Sequence, residues 1–252
     1  MITVDEVLAE LTSRRDEKAL AGMARYGIKV DDAYGVSVPE VRALGKRIVK
    51  ELGRHDPARH PFALGLWETG IHEARLLAGM VDLPEMVTEE QMEAWVSDLD
   101  SWDVCDQLCN NLFTYTQWAW PKALEWSGRE EEFVKRAGFV LMATLAVHDK
   151  GAADERFLPL LAAIEREAAD ERNFVKKAVN WALRNIGKRD PALHEQAVET
   201  ARRLAASGSR AGRWVAAAAL RELEGEAVRR RLGLPGEGRV GGKAADPRGV
   251  DG

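Results

Sequence analysis

Cysteine is scarce in this chain of 252 residues: Cys105 and Cys109 are its two thiols. A disulfide framework is not suggested, and a pair four residues apart on one predicted helix cannot supply a metal site unaided. No cofactor and no metal is expected, and a reduced thiol pair is the reading. Long apolar runs are also missing. The longest, Ala137 to Val147, covers eleven residues, whereas a membrane-spanning helix needs about 20. The opening Met1-Ile2-Thr3-Val4-Asp5-Glu6 lacks the basic-then-apolar layout of a secretion signal. A soluble, cytoplasmic protein is expected. Strand signals are nearly absent, and so is an excess of positive charge: 36 Lys and Arg face 41 Asp and Glu, a net of −5.

Helical patterning fills what remains. Apolar residues recur at helical spacing over Val4 to Leu11, Val38 to Leu52 and Ile71 to Val81. Ser37-Val38-Pro39-Glu40 reads as a cap followed by a first-turn proline. Thr88-Glu89-Glu90-Gln91 reads as a capping box ahead of Met92 and Trp95, and Asp100-Ser101 caps a helix that begins at Trp102. Asp56-Pro57 starts a helix through Trp67, and Pro121 starts or interrupts one near Trp118-Ala119-Trp120. Further helices are predicted over 132–148, 155–168, 172–188, 191–206 and 211–232. About a dozen helices joined by short turns fit an α-solenoid or a bundle, and helix pairs returning every 35–45 residues approach the spacing of HEAT-type repeats. One domain over 1–232 is expected, followed by a flexible Gly/Pro-rich tail over 233–252.

The negative net charge argues superficially against a nucleic-acid partner, yet its distribution is uneven. Residues 1–132 carry −11 and residues 133–231 carry +6. An opposed polarity makes DNA possible without establishing it, because a solvated basic face has the same composition.

Four residues stand out against this background: Trp102, Asp106, Arg136 and Trp181. The spacing Trp102-x-x-x-Asp106 puts an indole and a carboxylate on one helical face. Arg136 opens an apolar helix, and Trp181 lies inside the Phe174-to-Arg184 helix. Aromatic faces and a carboxylate beside a cation suit a positively charged ring attached to a phosphate backbone, which points to alkylated DNA. Tryptophans at helical spacing are more often core, and Trp67, Trp95, Trp126 and Trp214 are read that way; Trp118 and Trp120 stay open between core and DNA contact. Asp106 without context would be a solvated carboxylate or a partner for a nearby arginine. Asp103 points elsewhere on its helix.

Three patterns, Ser101-Trp102-Asp103-x-x-Asp106, Phe133-x-x-Arg136-Ala137 and Phe174-x-x-Lys177-Ala178-x-x-Trp181-x-Leu183-Arg184, occur in this order. With Met23-Ala24-Arg25-Tyr26 and Tyr34-Gly35-Val36-Ser37-Val38-Pro39 upstream, they resemble the AlkD-like DNA alkylation repair family of HEAT-like repeat alkylpurine DNA glycosylases. The resemblance covers most of residues 15–232. It implies an all-α, C-shaped solenoid whose concave basic face grips double-stranded DNA, and removal of N3- or N7-alkylated purines without dependence on base flipping.

An alkylated purine carries positive charge and leaves readily, and its departure gives the sugar oxocarbenium character. Asp106 is the candidate to stabilise that sugar and orient water. Trp102 and Trp181 are the candidate aromatic faces for the cationic nucleotide, and Arg136 the candidate phosphate contact, with Lys135 next to it as runner-up. Lys177, Arg184 and Arg213 are further DNA-binding candidates. A charged leaving base needs no strong general acid, in keeping with a site that has no obvious histidine. No lysine is evidently placed for a Schiff base, so no lyase step is expected. A monomer acting on methyl or bulky adducts is one reading; a noncatalytic HEAT-like scaffold or DNA-structure binder is the alternative.

Overall fold

Several helix starts in the computed structural model, which describes residues 2–235, follow their capping chemistry, whereas Ser101 makes no side-chain cap hydrogen bond at the helix beginning with Trp102. The stretch from 236 on, which holds most of the expected tail, lies outside the described residues. Thr3 and Glu6 exchange hydrogen bonds at the start of α1 (Val4–Ser13). Asp16 caps α2 (Glu17–Arg25), and Ser37 with Glu40 opens α3 (Val38–Leu52), where Pro39 sits in the first turn. The remaining helices are α4 (Arg59–Glu68), α5 (His72–Val81), α6 (Glu89–Ser97), α7 (Trp102–Asn111) and α8 (Ala119–Ser127). They continue with α9 (Glu132–His148), α10 (Leu158–Glu167), α11 (Asn173–Ile186), α12 (Pro191–Ala205), α13 (Arg210–Leu223) and α14 (Glu226–Arg231). There are no strands among the described residues.

Three segments differ from the sequence-based expectation. Helix α2 was not anticipated; its nine residues are too few for a clear apolar period, and only Leu20 is buried. The expected 155–168 helix begins instead as a 3-10 turn, Asp154–Phe157, and becomes α-helical at Leu158 with Pro159 in the first turn. The expected 211–232 helix is two, because Glu224 closes α13 and Gly225 is extended as the cap of α14.

Two layers emerge from the packing. Helices α3, α5, α7, α9, α11 and α13 form a row in which each packs on the next. Behind them, α4 rests on α5, α6 and α8 on α9, α10 on α11, and α12 on α13. This alternation is what an array of helical hairpins produces: each hairpin buries one face against its predecessor and offers the other to its successor. The core runs along the plane between the layers. Helix α9 is its centre and is buried without interruption from Val134 to Ala146, each large apolar side chain there stabilising by about 1.5–3 kcal/mol.

Close approach of α8 and α9 depends on Gly138, where a Cβ would come within 2.5 Å of the Ser127 backbone nitrogen. Gly138→Ala is therefore expected to force the helices apart and cost about 1–3 kcal/mol of stability. A urea titration checks this, and an unchanged midpoint would contradict it.

The tryptophans divide. Trp67 and Trp95 stack at 4.3 Å and 3°, and Trp126 is fully buried with its Nε1 donating to Glu93, so these three are core as expected. Trp118 and Trp120 pack partly buried against the core; the Trp120 indole donates to Asp149 and lies under the Arg156 guanidinium at 3.9 Å. Trp214 departs from expectation: it is 43% exposed on α13.

Candidate active site

All four residues singled out in the sequence lie on the front row: Trp102 and Asp106 on α7, Arg136 on α9 and Trp181 on α11. The row's packing places α9 between α7 and α11, so Arg136 sits between the helices that carry the carboxylate and the second indole.

Its guanidinium makes the central contacts. Nε donates to one Asp106 carboxylate oxygen at 2.9 Å and Nη2 to the other at 2.8 Å, a bidentate pair. Nη1 donates to the Phe174 carbonyl of α11 at 2.6 Å. The same guanidinium lies 5.9 Å from the Trp102 ring. One side chain thus joins three consecutive row helices. The Arg136 side chain keeps 6% exposure and the Asp106 side chain 17%. Burial pushes the Asp106 carboxyl above its ordinary value, against the pull of the Arg136 charge. The attraction of Asp106 outweighs burial at Arg136 and holds its pKa above the ordinary value.

Arg136, the expected phosphate contact, has each of its three side-chain nitrogens engaged inside the protein. Lys135 is likewise committed: it is 5% exposed and binds Glu167 at 2.9 Å and Asp170 at 3.7 Å. Arg184 is ion-paired to Glu222, and Arg213 donates to the carbonyls of Ser207 and Gly208 from an exposed position. Lys177 is exposed and makes no hydrogen bond or ion pair among the described residues. Trp181 is half-buried against the core. It stands two helical turns beyond Phe174 on the same face of α11 and takes no part in the hydrogen bonds of the Arg136–Asp106 pair.

A segment not assigned a role from sequence closes the site's other edge. The Trp102 indole donates to the Tyr26 carbonyl at 3.0 Å. The next residue, Gly27, has φ +73 and lies so close to Phe174 that a Cβ would be 2.9 Å from its ring. The Tyr26-Gly27 turn therefore touches both α7 and α11, and the Tyr26 side chain is 75% exposed. The motif around Tyr26 was visible in the sequence, but the contact spans 76 positions and no local pattern encodes it.

Asp103, one residue beyond Trp102, turns toward α5 instead. Its Oδ2 lies 2.9 Å from His72 Nε2, and its Oδ1 accepts from the Ser101 hydroxyl at 2.6 Å. Burial works against the His72 cation, but the hydrogen bond and charge of Asp103 outweigh it and raise the pKa above 6.5. Burial also works against the Asp103 anion, and His72 outweighs it, lowering the pKa below 3.8. The stability from His72 is complete below its unfolded value and is lost as pH rises through the raised one. The Asp103 share is lost as pH falls through the depressed value. His72→Gln is accordingly expected to flatten the decline in urea midpoint as pH rises above about 6.5. Parallel pH profiles for the two proteins would contradict the pairing.

The acidic N-terminal half also holds a basic groove. Arg42, Lys46 and Lys50 follow at four-residue steps along α3 and, with Arg54 and Asn111, line an open groove of about 810 Å³. Arg42 donates to Gln107, the neighbour of Asp106, at 3.1 Å. The 42-46-50 stripe was available from helical spacing; summing charge over the whole half concealed it.

A family model described as DNA alkylation repair enzyme matches residues 7–223. No curated protein matches the chain significantly. A solved member of a new family of proteins related to the HEAT-like repeat DNA glycosylases, with affinity for branched DNA structures, is 19% identical. The match covers 92% of this chain and 97% of that one with a TM-score of 0.70, so the fold is of the HEAT-like repeat kind. A designed armadillo repeat protein in complex with a (KR)4 peptide is 13% identical over 79% of this chain and 87% of that one, with a TM-score of 0.32. No helix among the described residues is long and apolar enough to cross a membrane.

Proposed function

The chain belongs to the family of DNA alkylation repair enzymes, and we propose that within it the protein hydrolyses the N-glycosidic bond of N3- or N7-alkylated purines in double-stranded DNA. The observation that carries this reading is the Asp106 carboxylate, locked by Arg136 beside the Trp102 ring. A bidentate arginine occupies two of a carboxylate's roughly four lone-pair sites and leaves the others for a sugar and a water. Holding the anion in place before the substrate arrives removes the reorganisation that solvent would require.

In the proposed reaction the bond from C1′ to N9 breaks and its electron pair passes to the purine, which cancels the positive charge that alkylation created. The sugar becomes oxocarbenium-like, and Asp106 stabilises that charge. Water held by Asp106 adds to C1′ and gives up a proton to the carboxylate. Trp102 and Trp181 flank the nucleotide, each contributing about 0.5–2 kcal/mol through cation–π attraction. The phosphate contacts fall to the groove cations of α3 and to Lys177 on α11, while Arg184 and Arg213, the other expected contacts, would have to exchange Glu222 and the loop carbonyls for phosphate. Lys135 and Arg136 support the framework. No protein pocket around a flipped base is required by this arrangement, and monomeric action is expected.

A second reading is favoured by one specific feature: both Asp106 oxygens already have a partner in Arg136. The solved relative is described by its affinity for branched DNA, and a chain with the same fold could bind DNA without cleaving it. Incubation with a duplex containing 7-methylguanine, followed by heating in alkali, separates the readings. Strand scission at the lesion supports hydrolysis; retention of the duplex without scission supports a binder; neither supports a scaffold.

A further inference from the structure

We infer that the solvent face of α13 is a docking platform for an unpaired stretch of DNA, with Trp214 stacking on a nucleobase and Lys176, Arg210 and Arg221 holding the phosphates beside it. This rests on the reading that the front row faces DNA, and it adds a second structural class of substrate: duplex continued by a single strand.

Helix α13 divides cleanly. Ala211, Gly212, Val215, Ala216, Ala219 and Leu223 are buried, while positions 210, 213, 214, 217 and 221 are exposed. The exposed side therefore presents three arginines and a tryptophan and no carboxylate. Trp214 keeps 43% of its surface in solvent, although a large indole gains most from burial. The Lys176 ammonium, reaching across from α11, stands 5.1 Å from its ring. Arg210 and Arg221 make no hydrogen bond or ion pair among the described residues, whereas Arg213 is occupied by loop carbonyls. Nearby acids are spoken for: Glu171 accepts from the Ala211 backbone, and Glu222 binds Arg184 and Lys188.

An aromatic face set among cations has a specific use. Paired bases in a duplex are stacked on one another and offer no face to a protein, so duplex phosphates call for cations alone. Single strands expose both base faces and phosphates, and proteins that hold them interleave aromatic side chains with basic ones. Position fits as well. Packed helices lie about 8–10 Å apart, so α13 stands one such step beyond Trp181. A strand rising ~3.4 Å per nucleotide covers that step in two to three nucleotides.

Fluorescence anisotropy with lesion-free DNA tests the inference, using a blunt duplex and the same duplex carrying a single-stranded tail. The wild-type protein is expected to bind the tailed form roughly tenfold more tightly, the scale of one base–aromatic stack. Trp214→Ala should erase that preference while blunt-duplex affinity and thermal midpoint stay unchanged, and Trp214→Phe should keep part of it. Arg210→Gln and Arg221→Gln should each lower the salt slope on the tailed DNA by about one. Equal binding of both DNAs by the wild type overturns the platform. So does an equal loss on both in Trp214→Ala, which would place the indole against the duplex itself. Excision from a blunt lesion duplex, measured on the same variants, keeps the two proposals apart: excision without tail preference removes only the platform, and tail preference without excision removes only the glycosylase.

Discussion

Asp106→Asn is expected to lower single-turnover release of an alkylated purine by at least about 100-fold, the scale on which removal of a preorganised electrostatic group acts, while duplex binding stays within a few-fold of wild type. The reasoning is electrostatic. Asparagine reproduces the shape of the carboxylate but has no charge to set against an oxocarbenium sugar. Its amide also turns a donor toward the Arg136 guanidinium, where the native residue accepts at 2.9 and 2.8 Å. Binding should survive because the candidate phosphate contacts, Arg42, Lys46 and Lys50 on α3 and Lys177 on α11, lie on other helices. A gel-shift titration alongside the kinetics checks this division. Loss of binding equal to the loss of rate would mean that Asp106 shapes the interface rather than the reaction.

Arg136→Met carries the second large effect, on stability and on pH together. Breaking a buried ion pair from one side typically costs about 3–5 kcal/mol, and Arg136 also supplies the donor to the Phe174 carbonyl that ties α9 to α11. Urea unfolding should register that loss. Replacing both partners, Asp106→Leu with Arg136→Met, should recover much of it, because no charge is then left buried, yet base release should stay absent. A milder change, Arg136→Lys, keeps the charge and loses the bidentate grip; its pH profile is informative. Arg136 pulls the Asp106 pKa down while burial pushes it up. Weakening that pull raises the pKa, so the acid limb of excision should move to higher pH. A limb that stays in place would show that Asp106 ionisation does not limit the reaction.

The row of helices that builds the site was legible in sequence because each of α7, α9 and α11 carries its own signal: Ser101 ahead of Trp102, an uninterrupted apolar run after Arg136, and amphipathic spacing around Trp181. The spacing of Trp102 and Asp106 sets them one turn apart, and that reading needed no tertiary information. What Arg136 does was not legible. An arginine early in a helix looks like a surface group, and only the packing of α7 and α11 on either side of α9 converts it into a buried pair with Asp106. The pairing of Lys135 is hidden for the same reason, since Glu167 and Asp170 reach it from 32 and 35 positions away. Trp214 failed in the opposite direction: helical spacing cannot tell an indole facing the layer behind from one facing solvent, and α13 has alanine where a bulkier core residue would have marked the difference.

Free base is the product that separates a glycosylase from a protein that only holds damaged DNA. Chromatographic quantification of free 7-methylguanine, with the protein in excess over a lesion-containing duplex, tests the central role given to Asp106. The account predicts that wild-type protein releases the base and leaves one abasic site for each base released, and that Asp106→Asn bound to the same duplex releases essentially none. Retention of the lesion by the wild type, or equal release by the two proteins, would contradict it.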